Sequence, residues 1–228
     1  MLELLLLLAQ DPQPRVIDPG GPGKAPSDAV VLFGGKDVSA WRRGDGQPAR
    51  CEVREQVMHC RTGAGDIFSR ETFRAAQIHI EFAIPAMPRQ KGQLRGNSGV
   101  YLQSCYEIQL LDSYQNPTYA KGSAGALYGL SAPMVNASRP AKQWQVLDII
   151  FRPPRCDAAG KITGPGSLTL LHNGVLVQDH VPIEKATGGC SLPNRCDAGP
   201  LMLQDHSGFP GAPDTTMRFR NIWVRRID

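Results

Sequence analysis

Two runs in the middle of the chain carry the residue types that proton-transfer chemistry needs. They are Gly96-Asn97-Ser98-Gly99-Val100-Tyr101-Leu102-Gln103 and Tyr106-Glu107-Ile108-Gln109-Leu110-Leu111-Asp112-Ser113. Side chains alternate along a strand, so in the second run Tyr106, Ile108 and Leu110 share one side while Glu107 and Gln109 share the other. A glutamate and a glutamine projecting together from mid-strand imply a face that is wet or occupied by a polar ligand. Glu107 is the first candidate for a general base or acid, because partial desolvation raises a carboxyl pKa toward neutrality. The competing reading is a glutamate on an ordinary solvated face. Asp112 is the second carboxylate. Its odd offset from Glu107 sends it to the opposite side of a regular strand, so it reaches the site only if the strand ends or bulges near Leu110-Leu111. A turn-capping aspartate fits equally well. His206 lies two residues beyond Gln204, so the two can share a face with Met202, and imidazole is a natural proton shuttle near neutral pH. A histidine held in a loop by Asp205 is the alternative.

Around these candidates stand groups suited to hydroxyl or carbonyl recognition: Asn97, Tyr101, Gln109 and Gln204, with Tyr128 and Lys121 from a long connection. His59, His79, His172 and His180 sit in or beside strand-like segments and read as structural or solvated. Trp41, Trp144 and Trp223 read as core residues rather than sugar platforms. There is no Ser-His-Asp order, no phosphate-cradling glycine loop, no C-x-x-C and no H-E-x-x-H. No cofactor or metal is therefore expected, although the residues leave a divalent cation open.

The elements that must position these groups are short alternating runs bounded by Gly, Pro, Asn or Asp. They include Gln77 to Ile84, Trp144 to Phe151, Ser167 to Leu171, Val175 to Gln178, Leu201 to Gln204 and Met217 to Val224. No window keeps a helical period, and Asn173-Gly174 is a two-residue hairpin signal. Many short strands at this spacing imply an all-β sandwich or barrel. Two longer connections, Asp112 to Arg139 and Asp205 to Thr216, mix aromatic, amide and charged residues. Aromatic faces beside hydrogen-bonding groups suit sugars; a loop packed by its own side chains is the plainer reading.

The chain of 228 residues suits one large domain. Its net charge of +4 comes from scattered basic residues, so no nucleic-acid partner is expected. The leucine-rich residues 1–9 resemble the tail of a signal peptide, too short to span a bilayer. Residues 10–28 read as a disordered Pro/Gly linker, and 29–228 as the domain. Six cysteines agree with export to a secreted or periplasmic location. A two-residue turn at Glu55-Gln56 would set Cys51 opposite Cys60, within disulfide reach. Cys190 and Cys196 bracket a short loop and could close it, leaving Cys105 and Cys156 as a third pair or as free thiols. Sequence alone does not choose among the pairings.

Read together with Leu32-Phe33-Gly34-Gly35-Lys36-Asp37-Val38-Ser39-Ala40-Trp41, Gly125-Ala126-Leu127-Tyr128, His172-Asn173-Gly174, Gly199-Pro200-Leu201-Met202-Leu203-Gln204-Asp205-His206 and Phe219-Arg220-Asn221-Ile222, the central runs resemble the 3-keto-disaccharide hydrolase family. The resemblance covers roughly Ala29 to Ile227. It implies a concanavalin A-like jelly-roll sandwich of two antiparallel sheets, one forming a glycan-facing groove. It also implies a carbohydrate substrate already oxidised to a ketone at C3. Such a ketone acidifies the C2 proton, so a base can remove it and expel the C1 substituent before water adds. Lys121 or Arg220 could then stabilise the enolate oxyanion. The alternative on the same scaffold is a noncatalytic carbohydrate-binding or lectin-like module. Segments Pro153 to Pro165 and Cys190 to Cys196 look like insertions in the family pattern.

Overall fold

A computed structural model of the chain describes residues 13–21, 23–188, 190 and 196–227. The leucine-rich start lies outside the described residues. Among the described residues fifteen strands appear in chain order. They are β1 (Val30–Phe33), β2 (Trp41–Arg43), β3 (Glu52–Arg54), β4 (Val57–Arg61), β5 (Ile67–Phe73), β6 (Ala76–Ala83), β7 (Ser98–Leu102) and β8 (Tyr106–Leu110), followed by β9 (Gln145–Arg152), β10 (Arg155–Cys156), β11 (Ile162–Gly164), β12 (Gly166–His172), β13 (Val175–Ile183), β14 (Gly199–Leu203) and β15 (Thr216–Arg226). Among the described residues the helical content is three single-turn 3-10 segments, Gly92–Leu94, Ala120–Gly122 and His206–Gly208.

Thirteen of the strands form two large antiparallel sheets, as the family resemblance implies, and β10 and β11 pair only with each other. The larger runs β13-β12-β9-β6-β15-β4-β3, with β1 also on β15, and the smaller runs β2-β5-β14-β7-β8. Strand β15 pairs with β4 over its first half and with β1 over its second. The change of partner coincides with an irregularity between Arg220 and Trp223, where Asn221 takes a left-handed φ of 47°. Inward residues of both sheets, among them Trp41, Phe82, Tyr106, Ile108, Phe151 and Phe219, form one apolar core. The Trp41 indole donates to Leu32 O at 2.9 Å, so even its polar atom is satisfied there. Trp223 is also buried, whereas Trp144 is half-buried beneath Arg220, whose guanidinium stands 4.1 Å from its ring centre.

Turn chemistry sets the registers. Glu55 and Gln56 both have positive φ, and Asn173 and Gly174 likewise, giving two tight hairpins. The first places Cys51 and Cys60 in a disulfide, as the hairpin predicts. The other pairings differ from the expected local closure of Cys190 with Cys196. Cys190 bonds Cys105, and Cys196 bonds Cys156. Sequence proximity was a poor guide because residues far apart in the chain are brought together by the fold. The small β10–β11 hairpin lies in one apparent insertion, and its Cys156 ties it to the other. Residues 13–21 and 23–28 contain no strand but are held: Asp28 pairs with Arg15 and Arg225, and Asn221 donates to Gly23 O.

Non-reducing peptide mapping should recover Cys105 linked to Cys190 and Cys156 linked to Cys196. Because the Cys105–Cys190 bridge closes a sequence separation of 85 residues, replacing both with Ala should cost about 2–5 kcal/mol in chemical denaturation.

Candidate active site

Tyr101 and Glu107 face each other across the β7–β8 pair. The connection between these strands is tight, with left-handed φ at Gln103 and Ser104. Side chains held inside the protein stabilise that backbone: the Gln103 amide donates to Phe73 O at 3.1 Å and Asp197 O at 2.8 Å. Since Tyr106 and Ile108 fill the core, Glu107 must point to the outer face of the smaller sheet. The long connection after β8 then adds an extra edge beside it. Leu127 bridges Ile108, and the Tyr128 N–H donates to Glu107 O at 3.0 Å. The same alternation therefore puts Tyr128 on Glu107's face.

The expected polar face is not solvated. Glu107 is only 5% exposed and Gln109 1%. Glu107 Oε2 accepts from the Tyr101 hydroxyl at 2.8 Å, and the Gln204 amide donates to that hydroxyl at 3.1 Å. Burial drives the Glu107 pKa up to about 7, against the opposing effect of the Tyr101 hydrogen bond. Burial and the neighbouring Glu107 carboxylate push the Tyr101 phenol above its ordinary range, so it stays protonated at neutral pH. Tyr119, whose hydroxyl lies 2.6 Å from that of Tyr128, shifts upward through burial and its hydrogen bond with Tyr128. Two further residues shape this group. Gly99 leaves room for the carboxylate, since a Cβ there would sit 2.7 Å from Glu107 Oε1. Gly122 leaves room for the Tyr119 ring, which lies against it.

Gln109 and Asn97 continue the network. Turned with its nitrogen toward Glu107, the Gln109 amide donates to Oε1 at 3.2 Å and to Ser98 O at 3.1 Å. Asn97 donates to Gln93 O at 2.9 Å, and the side chains of Gln109, Asn97 and Gln93 touch. Five of the sequence candidates, Asn97, Tyr101, Glu107, Gln109 and Gln204, thus form one polar cluster, with Tyr128 against it.

Other candidates lie elsewhere. His206 lines a recess of about 20 Å³ with Asn97 and Gln204, and so meets the cluster at its Gln204 end rather than at Glu107. Its ring stacks on Phe209 with centres 4.0 Å apart, and burial lowers its pKa despite the adjacent Asp205, leaving a neutral imidazole. Strand β8 ends at Leu110, but the Asp112 carboxylate is then taken by Arg95, at 2.7 Å, and serves the fold of the turn. Lys121 is exposed on the 3-10 segment Ala120–Gly122. Arg220 belongs to the other sheet, where it binds Glu81 at 2.6 Å; the strand parity that singled out Glu107 carries no information about which sheet a distant strand joins. Tyr119, Gly99 and Gln93 were not singled out as site residues. Tyr119 sits within the aromatic loop and Gly99 within the central run, so composition and strand parity held the only signals for them. Among the described residues no three His, Cys, Asp or Glu converge as a metal-binding group, and no helix is long and apolar enough to cross a membrane.

The family model described as a 3-keto-alpha-glucoside-1,2-lyase-like domain matches residues 28–225. A proposed glycosyl hydrolase from Parabacteroides distasonis ATCC 8503 is 40% identical, with a TM-score of 0.86 over 95% of this chain and 93% of that one. A second protein so described from the same organism is 17% identical, with a TM-score of 0.61 over 88% and 94% of the two chains. The Bacillus licheniformis beta-glucanase shares the jelly-roll fold at 11% identity, with a TM-score of 0.52 over 89% of this chain and 99% of that one. No curated protein matches the chain.

The raised Glu107 pKa has a measurable consequence for stability. From about pH 4.5 upward the unfolded chain gives up the Glu107 proton that the folded chain keeps until about pH 7, so stability falls with rising pH across that window. Glu107→Gln removes this penalty. Between pH 4 and pH 8 the variant should gain roughly 3 kcal/mol on the native protein in urea titrations. Parallel curves would show that the carboxyl is not held protonated by burial.

Proposed function

This chain belongs to the 3-keto-alpha-glucoside-1,2-lyase-like domain family, and we propose that it is an exported enzyme that cleaves 3-keto-glycosides, 3-keto-disaccharides among them, with Glu107 as its base. The observation that carries the reading is the buried Glu107–Tyr101 pair. A carboxyl with a pKa near 7, hydrogen-bonded to a phenol that keeps its proton, supplies a base with a proton relay beside it. Three disulfides, together with the leucine-rich start, support the exported location.

In this mechanism Glu107 takes the C2 proton, and the electron pair of the C–H bond moves into the C3 carbonyl to give an enolate. The Tyr119–Tyr128 hydroxyl pair donates a hydrogen bond to the enolate oxygen. Collapse of the enolate forms the C1–C2 double bond and breaks the C1–O bond. The Tyr101 hydroxyl protonates the departing oxygen and recovers a proton from Glu107 through their hydrogen bond. Water then adds at C1, giving its proton back along Tyr101, while Glu107 returns a proton to C2. The sum is glycoside plus water giving the free 3-keto sugar and the alcohol. Gln204 holds the Tyr101 oxygen in place throughout.

Product analysis on paired disaccharides, native and oxidised at C3, tests the reaction: free sugar should appear from the 3-keto form alone. Glu107→Gln keeps the size of the side chain but not its basicity, and should lower kcat by about 10²–10⁴. With the native protein kcat/KM should rise toward a plateau as pH passes about 7, because only the ionised carboxylate accepts the proton. Binding of both sugars without cleavage of either would instead make the chain a recognition module.

A further inference from the structure

The outer face of the smaller sheet carries a longer row than the Glu107 cluster. Following the register across the strands, Arg42 of β2 pairs with Phe68 of β5, Phe68 with Met202 of β14, Met202 with Tyr101, and Tyr101 with Glu107. Their chain neighbours Trp41, Ile67, Leu201 and Val100 point into the core, so all five side chains stand on the outer side. Adjacent strands lie about 4.8 Å apart, which makes the row from Glu107 to Arg42 about 19 Å long.

The chemistry changes along it. At the Glu107 end, and beyond it at Tyr128 and Tyr119, the row offers hydroxyl groups that can orient a polyhydroxylated, oxidised ring. In the middle Met202 is buried and the half-buried Phe68 lies beside it, neither with a strong hydrogen-bonding group. A sugar laid there would leave the hydroxyls on that side unpaired, whereas an aromatic ring would not. At the far end the Arg42 guanidinium stands 5.7 Å from the Phe68 ring centre. It forms no ion pair among the described residues, which leaves its charge for a carboxylate.

We propose that the group expelled from C1 lies along this row, with aromatic rings against Phe68, which borders the buried Met202, and a carboxylate at Arg42. The preferred substrates are then 3-keto-glycosides of carboxylated, extended aryl alcohols, and Phe68 and Arg42 determine that preference. The inference rests on the Glu107 reading of the reaction, which sets the breaking C1–O bond beside Tyr101, with the leaving group toward Met202.

The test compares kcat/KM for the 3-keto-glucosides of phenol, 4-phenylphenol and 4′-hydroxybiphenyl-4-carboxylate, whose leaving groups have similar acidity. The native protein should favour the biphenylyl over the phenyl compound by roughly tenfold, with a further gain from the carboxylate. Phe68→Ala should bring the biphenylyl-to-phenyl ratio toward one. Arg42→Met should remove only the carboxylate's gain. Phe68→Leu, which keeps an apolar side chain in the sheet, replaces Phe68→Ala if that variant does not fold. Equal rates for the three compounds, or ratios that survive both substitutions, would overturn the proposal. If none of the three is cleaved, the Glu107 reading fails, and calorimetric titration with the unoxidised carboxybiphenylyl glucoside still decides the row. Binding weakened by both substitutions keeps the row as a ligand site, and no binding removes it.

Discussion

A carboxyl group buried opposite a phenol is the constraint around which the smaller sheet is arranged. Glu107 is costly to ionise where it stands, and the Tyr101 hydroxyl is the partner that makes its burial tolerable. The pair depends on register: a slip of one residue between β7 and β8 would turn Glu107 into the apolar core and Tyr106 out of it. The tight connection between the strands prevents that slip, and buried hydrogen bonds from Gln103 hold the connection in its left-handed conformation. Cys105, at the end of this turn, is fastened to Cys190. The site thus rests on rigid sheet, while its rim comes from loops.

Those loops divide the labour. The connection after β8 behaves as an additional strand edge, bringing Tyr128 beside Glu107 and Tyr119 against Tyr128. Asp112 and Arg95 brace the start of that connection, which explains a buried carboxylate outside the polar cluster. The Asp205 to Thr216 connection contributes from the other end, where His206 adjoins Gln204 and Asn97 around a recess large enough for about one water molecule. The two loops meet the polar cluster at opposite margins, and the apolar strip through Met202 and Phe68 leads away between them toward Arg42.

The alternation of Tyr106-Glu107-Ile108-Gln109-Leu110 made the strand, its inward face and the exceptional Glu107 readable before any coordinates, because a strand's periodicity is local. The Cys51–Cys60 bridge was readable for the same reason: its hairpin is made by two adjacent residues. The other two disulfides were not, since Cys105 and Cys190, like Cys156 and Cys196, meet only after distant strands have joined. Strand β5 does not stand out among the alternating runs for a related reason. Its Arg70-Glu71-Thr72 stretch is exposed and polar on both sides, so it carries little alternation to detect.

By itself, then, the sequence determined what depends on neighbours a few residues away: an all-β sandwich, the hairpins, the face on which Glu107 stands, and the family motifs. Tertiary structure decided what depends on which strands lie side by side. It set Tyr101 against Glu107 with Gln204 behind, assigned Arg220 to the opposite sheet, and aligned Arg42, Phe68 and Met202 with the cluster. It also decided that the face carrying Glu107, which reads as wet or occupied by a polar ligand, is buried, with the carboxyl shifted to about 7. Desolvation is a sum over neighbours from the whole fold, so no local pattern of residues contains it.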